Sequence, residues 1–270
     1  MRYPGGKGGA GVFQTIINQF PPHRVYIEAF AGGANVFERK APAASSILVE
    51  VERVQFGYLL ASTTARTDVE VLRQDAFDFL SSYPWVGDEL VYLDPPYLHS
   101  TRKDLALYRH ELSEADHRRL LDLAATIPAM VAISGYRSAM YDEWAAMNGW
   151  RSIDFQAMTR RGPATETLWM NYAPPARLAD YGCAGQDFRE RERIKRKAAR
   201  FVAKWDKLPA LERGAIVQAM GDRWTTSAAP TMTPAASAKP AGKASAQAAS
   251  AGSAMEYRAA ATARFVEATR

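Results

Sequence analysis

The sequence predicts an α/β fold with a mostly parallel sheet. An antiparallel hairpin forms the end of this sheet, and a basic helical extension follows the hairpin. Short apolar runs alternate with helical patterns over the first half of the chain, which is typical of parallel strands joined by helices. A glycine-rich turn follows the first of these runs, at the position where α/β sheets bind ligands. Two strand-like runs near residue 160 then succeed one another without a helix, which indicates an antiparallel pair.

Length and composition limit the class of protein. A chain of 270 residues can hold one α/β domain of typical size and a smaller appendage. The formal net charge of +5 favours an anionic partner. A lone Cys183 excludes a disulfide framework and a cysteine zinc site, so we expect no metal and a reducing compartment. No apolar run is long enough to span a bilayer and the opening residues lack a secretory signal, so we expect a soluble cytoplasmic protein.

The opening segment is rich in glycine around Lys7, and a short helical pattern follows at 12–17. Glycines such as Gly6 let backbone amides approach a ligand closely, and Lys7 supplies a mobile cation. The segment is not a phosphate-binding P-loop, since no strand precedes it and no Lys-Ser/Thr pair follows at the required spacing. A flexible tail is the alternative interpretation.

The first predicted strand covers 25–30 and runs into a glycine turn and a helix through 36–37. A strand, a glycine turn and a helix N-terminus in succession can cradle a nucleotide-like cofactor. The next strand, 46–49, ends at Glu50, which is placed to bind ribose hydroxyls. An ordinary surface carboxylate is the alternative for this residue.

A predicted helix around 56–60 and a strand at 69–72 lead to Asp75. The position of Asp75 suits the N-cap of a helix over 76–81. The carboxylate could equally accept a hydrogen bond from the amine of a cofactor's adenine. The two roles are compatible, so both remain expectations.

The strand at 89–93 ends in the turn Asp94-Pro95-Pro96-Tyr97. Two prolines cannot continue a central strand, because each lacks a backbone donor and fixes its own φ. The chain must therefore turn at the carboxyl end of the strand. There it displays a carboxylate, backbone carbonyls without a hydrogen-bond partner in the sheet, and an aromatic face. This set suits a flat base with an exocyclic amine, which needs two acceptors and a ring to stack on. A proline turn with a capping Asp and a packed Tyr is the alternative.

Basic and aromatic side chains, including Arg102, Lys103 and Tyr108, interleave in the polar loop after this turn. Such a loop beside a base pocket could contact a phosphate backbone and stack on bases, and an ordinary solvated loop is the alternative. Ser113 then begins a helix with a capping-box pattern in which Asp116 replaces the usual Glu.

A strand at 130–134 follows that helix, and 150–158 and 166–172 form the predicted closing pair. Their connection carries Arg160 and Arg161, which makes it a basic hairpin near the end of the sheet. We expect this hairpin to contact the phosphate backbone of a nucleic acid.

The composition changes after the two prolines that follow the last strand. The helical pattern there is strongly basic and includes Arg193 and Arg196, which could neutralise the phosphates of DNA or RNA. The solvated face of a helix packed on the domain is the alternative. The chain thus divides into an α/β domain at 1–175, a basic helical extension at 185–224, a disordered linker rich in Ala, Ser, Pro and Lys at 225–254, and a terminal helix at 255–270.

Several motifs occur together over roughly residues 1–173. They are Tyr3-Pro4-Gly5-Gly6-Lys7, Phe30-Ala31-Gly32-Gly33-Ala34-Asn35-Val36-Phe37, Glu50, Asp75, Asp94-Pro95-Pro96-Tyr97, the loop of Tyr108, and the hairpin from Arg161-Gly162 to Trp169-Met170-Asn171. This combination resembles the Dam-type DNA adenine methyltransferases. The Asp-Pro-Pro-Tyr turn is shared with amine methyltransferases acting on cytosine, glutamine or RNA, whereas the Gly-Gly-Lys segment before the glycine turn is more specific.

The resemblance implies a Rossmann-like methyltransferase fold and S-adenosylmethionine as methyl donor. Two positions depart from the family pattern, since Ala34 replaces a common glycine and Glu50 replaces an Asp. The implied cofactor-binding residues are Tyr3 and Lys7 at the methionine end with Gly6 beside them, Phe30, Gly32 and Gly33 along the border, Glu50 on the ribose, Asp75 on the adenine, and Asp94 touching both cofactor and target.

The resemblance also implies that the target adenine is flipped out of the DNA duplex into the pocket. Tyr97 would stack on the base, while the Asp94 carboxylate and the carbonyl of Pro95, followed by Pro96 in the same turn, would accept the two amine protons. Direct methyl transfer would follow without a covalent intermediate. The lone cysteine, outside any Pro-Cys pair, argues against a carbon-methylating cytosine enzyme.

Sequence-reading members of the family carry a helical recognition domain, and none fits here. The interval from Glu50 to Asp94 is already filled by a predicted helix, strand, helix and strand. We therefore expect relaxed or very short sequence specificity, as in compact phage and prophage enzymes that shield DNA from restriction. Two alternatives remain, namely methylation of the exocyclic amine of cytosine and a non-catalytic DNA-binding protein that retains the fold.

Overall fold

The computed structural model describes residues 6–101, 110–159 and 162–226. These residues contain one seven-stranded sheet with the strand order β3-β2-β1-β4-β5-β7-β6. The strands are β1 Val25–Glu28, β2 Ser45–Val49, β3 Val69–Leu72, β4 Glu89–Leu93, β5 Met130–Gly135, β6 Arg151–Thr159 and β7 Gly162–Met170.

The first five strands are parallel, and only the closing pair runs antiparallel. β1 pairs in parallel with β2 on one side and with β4 on the other. The order of strands along the chain therefore reverses between β1 and β4, which is the topological switch point where open α/β sheets bind ligands. The sheet confirms the predicted α/β class, mostly parallel with an antiparallel terminal hairpin, and the doubly wound order is that of a Rossmann-like fold.

Helices cover both faces of the sheet. α3, α4 and α5 pack on one face and bury Phe79, Leu120 and Trp144 against strand residues. α1 and α2 pack on the other face, where Ile16 and Leu59 are buried. The helices are α1 Val12–Ile17, α2 Arg53–Thr63, α3 Ala76–Ser82, a short 3-10 helix His99–Thr101, α4 Glu114–Thr126, α5 Ala139–Met147, α6 Phe188–Trp205 and α7 Ala210–Thr226.

The predicted helix after the glycine turn does not form. Residues 31–40 fold as successive turns. Ala34 has a φ of 45°, in the left-handed region, and such a residue interrupts a right-handed helix. The Phe37 amide donates to Glu28 and not to a carbonyl one turn earlier, so the helical bonds at Glu38 and Lys40 stay isolated before Pro42. α5, which the sequence pattern did not reveal, starts at a Ser138 N-cap.

The β6–β7 hairpin extends beyond the sheet. β7 pairs with β5 only from Thr167 to Met170, and Thr167 lies opposite Gly135, the last residue of β5. Residues 162–166 and their partners on β6 therefore project past the carboxyl edge, by roughly 15 Å at about 3.3 Å per residue. This overhang brings one side of the hairpin above the edge where β4 ends. Arg160 and Arg161 lie outside the described residues.

The C-terminal helices are largely exposed. The basic segment predicted at 185–224 forms α6 and α7, and α6 has no buried residue. The boundaries of 1–175 and 185–224 as separate units stay predictions. Residues 225 and 226 belong to α7 and not to the predicted linker, because the helical pattern continues through Trp224. The rest of the linker and the segment 255–270 lie outside the described residues.

Among residues 6–101, 110–159 and 162–226, no helix has the length and apolar character needed to cross a bilayer. The same described ranges contain no group of His, Cys, Asp and Glu side chains arranged to hold a metal ion.

The capping box predicted at Ser113 is present. The Ser113 hydroxyl oxygen accepts from the Asp116 amide at 3.1 Å and donates to the Asp116 carboxylate at 2.6 Å, while the Ser113 amide donates to that carboxylate at 2.9 Å. Ser113→Ala should lower the free energy of unfolding by about 1 kcal/mol, measured by urea denaturation. Ser82→Ala, in the last turn of α3, is the control and should change it by less than about 0.5 kcal/mol. Equal effects of the two variants would contradict the assignment.

Candidate active site

The ends of β1 and β2 meet in a carboxylate–amide pair. The Gly32 amide donates to Glu50 Oε2 at 2.8 Å, and the Glu52 amide donates to Glu50 Oε1 at 2.8 Å. The Glu50 side chain is buried, and burial raises its pKa, although the two amides oppose this shift. The acid that the sequence placed at the end of β2 therefore lies directly on the glycine turn.

A buried ion pair closes the end of β4. Lys7 Nζ lies 2.7 Å from both carboxylate oxygens of Asp94, and Lys7 is only 3% exposed. The hydroxyl of Ser134, at the end of β5, donates to Asp94 Oδ1 at 2.8 Å and lies 2.9 Å from the Tyr92 hydroxyl. Burial lowers the pKa of Lys7, but Asp94 and Glu166 outweigh it and the net pKa is raised. Lys7 is therefore a fixed cation in this site.

The segment that carries Lys7 is seated on the glycine turn. At Gly8 an added Cβ would lie 2.6 Å from Asn35 Oδ1 and 3.2 Å from a guanidinium nitrogen of Arg39. A Cβ here would force the Asn35 and Arg39 side chains to shift, so the glycine permits this approach without rearrangement. The glycine-rich opening thus packs on the turn, and the described part of it, from Gly6 onward, is not a flexible tail.

Tyr97 lies in the same cluster. Its hydroxyl donates to Glu166 Oε2 at 2.7 Å, and Lys7 Nζ lies 4.9 Å from the centroid of its ring. The ring of Tyr136 meets it at 4.7 Å and an interplanar angle of 70°. Tyr97 is only 6% exposed, and burial, followed by Asp94 and Glu166, raises its pKa well above the usual value. A base can stack on this ring only after a neighbour such as the half-buried Tyr136 moves aside.

Asp75 has the capping role that the sequence predicted. Its Oδ1 accepts from the Phe77 amide at 2.8 Å and from the Asp78 amide at 3.3 Å, which caps α3. Both hydrogen bonds use one oxygen of an exposed carboxylate. Phe30 lies close by, edge-on to Phe77 at 6.5 Å. The cap is confirmed, and the contact with a cofactor's adenine stays a prediction.

A second buried carboxylate, Glu28, was not predicted from the sequence. The Tyr26 hydroxyl donates to Glu28 Oε2 at 2.9 Å, and the Phe37 amide donates to it at 3.2 Å. Burial raises the pKa of Glu28 to about 8. Lys40 lies over the Tyr26 ring at 4.4 Å, and burial lowers its pKa to about 8. The bond from the Phe37 amide thus connects the end of β1 to the turns at 31–40.

The structure brings most of the predicted site residues to one edge and leaves others aside. Lys7, Gly32, Glu50, Asp94 and Tyr97 share the carboxyl edge of the sheet. Gly33 lies in the glycine turn, and Pro95 and Pro96 continue from Asp94. Arg193 and Arg196 are exposed on α6, which follows all the residues of this cluster in the sequence. The predicted residues outside the described ranges are Tyr3, Arg102, Lys103, Tyr108, Arg160 and Arg161.

Sequence reasoning missed Ser134 and Glu166. Ser134 is the second-to-last residue of β5, the strand next to β4, so parallel pairing alone could have placed it beside Asp94. Glu166 precedes the apolar run of β7 and is buried at 5% exposure. A carboxylate adjoining a buried strand was the available signal for it.

Several solved structures are similar to this chain in fold. No protein-family model matches the chain, and no curated protein matches it. A structure from Pyrococcus horikoshii, named as a candidate RNA methyltransferase, is 16% identical with a TM-score of 0.42 over 63% of this chain and 85% of that chain. The 23S rRNA methyltransferase ErmE is 14% identical with a TM-score of 0.40 over 63% of this chain and 70% of that chain.

A SAM-dependent methyltransferase from Agrobacterium tumefaciens is 13% identical to this chain. Its TM-score is 0.40, and the match covers 58% of this chain and 58% of that chain. At TM-scores below 0.5 these likenesses carry no argument about activity. The residues of this chain, and not its structural neighbours, therefore indicate what the site can do.

The raised pKa of Glu28 predicts a pH-dependent stability. Its pKa in the folded protein, about 8, exceeds the ordinary value of 4.5, so the folded state favours the protonated form. The Glu28 contribution to the free energy of unfolding should therefore fall as the pH rises from about 5 to about 8, by an amount on the order of 4 kcal/mol, while His23, whose pKa burial lowers to about 4, contributes in the opposite direction below about pH 7. Lys40 is charged in both states over most of this range and should change the profile little.

Glu28→Gln keeps the acceptor oxygen and removes the Glu28 titration, so in urea denaturation it should abolish this fall and leave the rise that His23 causes. Glu143→Gln, an exposed position on α5, is the matched control and should keep the slope. A Glu28→Gln protein with the wild-type slope would show that another group is responsible.

Proposed function

We propose that this protein is an S-adenosylmethionine-dependent methyltransferase that methylates the exocyclic amine (N6) of adenine in DNA. The observation that carries the proposal is the Asp94 carboxylate at the switch point, held by Lys7 and Ser134. It lies one strand away from the Gly32–Glu50 pair. One edge thus combines acceptors for a cofactor's sugar with an acceptor for an amine.

The residues present fit S-adenosylmethionine. Both oxygens of Glu50 accept backbone amides, and the acceptor capacity that remains suits the hydroxyls of a ribose. Gly32 lets the backbone approach the ligand, and Asp75 keeps one oxygen outside its cap for an adenine amine. Lys7, with Gly6 beside it, would lie at the methionine end. The cofactor supplies a methyl group on a positively charged sulfonium.

The chemistry required of the chain is positioning. Asp94 Oδ2 accepts only Lys7 among the described contacts, so a lone pair remains for one amine proton of the target. The Pro95 carbonyl, which accepts no hydrogen bond within the described residues, would take the other proton. If both amine protons are held, the lone pair of the target nitrogen would point toward the methyl group. The ring of Tyr97 would fix the plane of the base. Orientation of this kind is a large part of catalytic rate enhancement.

The DNA is proposed to contact α6 and the overhanging hairpin. Positions 189, 193, 196, 200 and 204 recur at helical spacing, so they share one face of α6. All of them are Arg or Lys and all are exposed. Ile194, Phe201, Val202 and Trp205 occupy the opposite face. A row of cations along one face suits a phosphate backbone, and base flipping would deliver the target to Tyr97.

The specificity is proposed to be low or very short. Residues 50–94 are all described, and α2, β3, α3 and β4 fill the interval. A helical recognition domain is therefore absent from this position within the described residues. An enzyme with this build would methylate many sites, which would protect DNA from restriction.

Nucleoside analysis of plasmid DNA incubated with the protein and S-adenosylmethionine tests the reaction. The expected product is N6-methyladenine. Detection of N4-methylcytosine would show instead that the target is cytosine, whose exocyclic amine the same acceptors could hold. If neither base is modified and the cofactor does not bind in calorimetry, a non-catalytic DNA-binding protein is the better description.

Asp94→Ala should lower the transfer rate by at least about a thousandfold, because it removes an amine acceptor and the carboxylate that lies closest to Lys7. DNA affinity should change little, as measured by fluorescence anisotropy. Asp88→Ala is the matched control, since Asp88 precedes β4 at the opposite end of the strand and pairs with the exposed Arg24. An Asp94→Ala protein with wild-type turnover would refute the assignment of the site.

Replacing Arg193, Arg196 and Arg200 together by Gln should weaken DNA binding and flatten its salt dependence. Each lost phosphate contact should reduce the slope of log K against log salt by about 0.9. The control is Phe201→Ala with Val202→Ala, which changes the other face of α6 and should keep the slope. An unchanged slope in the triple variant would show that α6 does not contact the phosphates.

A further inference from the structure

Glu166 connects two parts of the site that are remote in sequence. Its Oε2 atom accepts from the Tyr97 hydroxyl at 2.7 Å and lies 3.6 Å from Lys7 Nζ. Lys7 in turn binds both oxygens of Asp94. One carboxylate therefore links the aromatic ring at the end of the turn to the ammonium that holds the acceptor at its start.

Glu166 lies at the point of the hairpin where the pairing between β5 and β7 stops. It is the first residue of β7 beyond the pairing with β5, since Thr167 lies opposite Gly135. On its other side it pairs with Phe155 of β6, which is buried on the same face. Glu166 thus lies where the hairpin leaves the sheet and passes over the site. Its side chain is 7% exposed.

Stability alone does not explain a carboxylate here. Burying an ionised group has a large desolvation cost, and replacing buried ion pairs by apolar groups is often neutral or stabilising. Asp94 and Glu166 share the Lys7 ammonium, so two carboxylates compete for one cation. A Leu or Met at position 166 would avoid that cost. What only an acceptor at this position supplies is a fixed orientation for Tyr97 and Lys7.

We propose that Glu166 is a positioning residue, which sets the Tyr97 ring and the Lys7–Asp94 pair in one arrangement before the target base enters. The inference rests on the proposed function of the site. Glu166 touches neither base nor methyl group, and acts through Tyr97 and Lys7. The plane of the stacking ring and the amine acceptor are then preset relative to each other, so that a flipped base meets both at once.

The test compares Glu166→Ala, Glu166→Gln and Tyr97→Phe in the full-length protein. A misplacement of about 1 Å can lower turnover about a hundredfold, so Glu166→Ala should lower kcat by about that factor. KM for DNA should stay within about threefold, since no DNA contact is removed. Glu166→Gln keeps an acceptor for the Tyr97 hydroxyl but loses the charge beside Lys7, and should have an intermediate kcat. Glu114→Gln, exposed on α4, is the control.

A double variant separates positioning from a merely structural role. If Glu166 acts through the Tyr97 hydroxyl, Glu166→Ala combined with Tyr97→Phe should lower kcat little more than Glu166→Ala alone. A duplex with 2-aminopurine at the target position gives a second readout, since its fluorescence reports how the flipped base stacks. Glu166→Ala should change this fluorescence in the bound complex, whereas Glu114→Gln should not.

The outcomes are distinguishable. A wild-type kcat in Glu166→Ala, or independent multiplication of the two single effects, would overturn the positioning role while leaving the methyltransferase assignment intact. A wild-type protein that methylates no base would overturn both. Should Glu166→Ala fail to fold by circular dichroism, the near-isosteric Glu166→Gln and Tyr97→Phe decide the matter, and a wild-type kcat in both would refute the proposal.

Discussion

The ion pair between Lys7 and Asp94 is the constraint on which the site depends. Both partners are largely removed from water, and a buried charge that loses its partner costs several kcal/mol. The glycine-rich segment must therefore close over the end of β4, although it has no strand or helix of its own around Lys7. Close packing at Gly8 makes this approach sterically feasible. The pair thus joins the beginning of the chain to the middle of the sheet.

The rest of the edge is arranged around that pair. β1 lies between β2 and β4, so the glycine turn separates the two carboxylates Glu50 and Asp94 by one strand. β5 supplies Ser134 to the same carboxylate, and β7 supplies Glu166 to the same ammonium. Every element of the switch point therefore contributes one polar side chain or amide. The strand order brings the ends of β1, β2, β4 and β5 together, while Lys7 and Glu166 reach this edge from the opening segment and from the overhanging hairpin.

Sequence patterns predicted the parts of this structure that depend on local chemistry. The strands at 69–72 and 89–93 match their predicted bounds, because each is a short apolar run between turn residues. The Asp75 cap follows from hydrogen bonds within one turn. The helix expected after the glycine turn did not form, and the positive φ of Ala34 in that turn is not indicated by any local sequence pattern. Glu166 escaped notice because its partners lie far away in sequence, where no periodicity records them.

The closing strand β6 is an edge strand, and its sequence makes that edge a poor template for aggregation. Nine residues of backbone pair on one side only, with β7. Unpaired strand edges recruit further strands unless charges or polar groups oppose this. Asp154 is bound by Arg137 at 2.9 Å, and exposed Ser152 and Gln156 flank it. Another chain docking here would have to desolvate this ion pair, so the sheet can end at β6 without a covering helix.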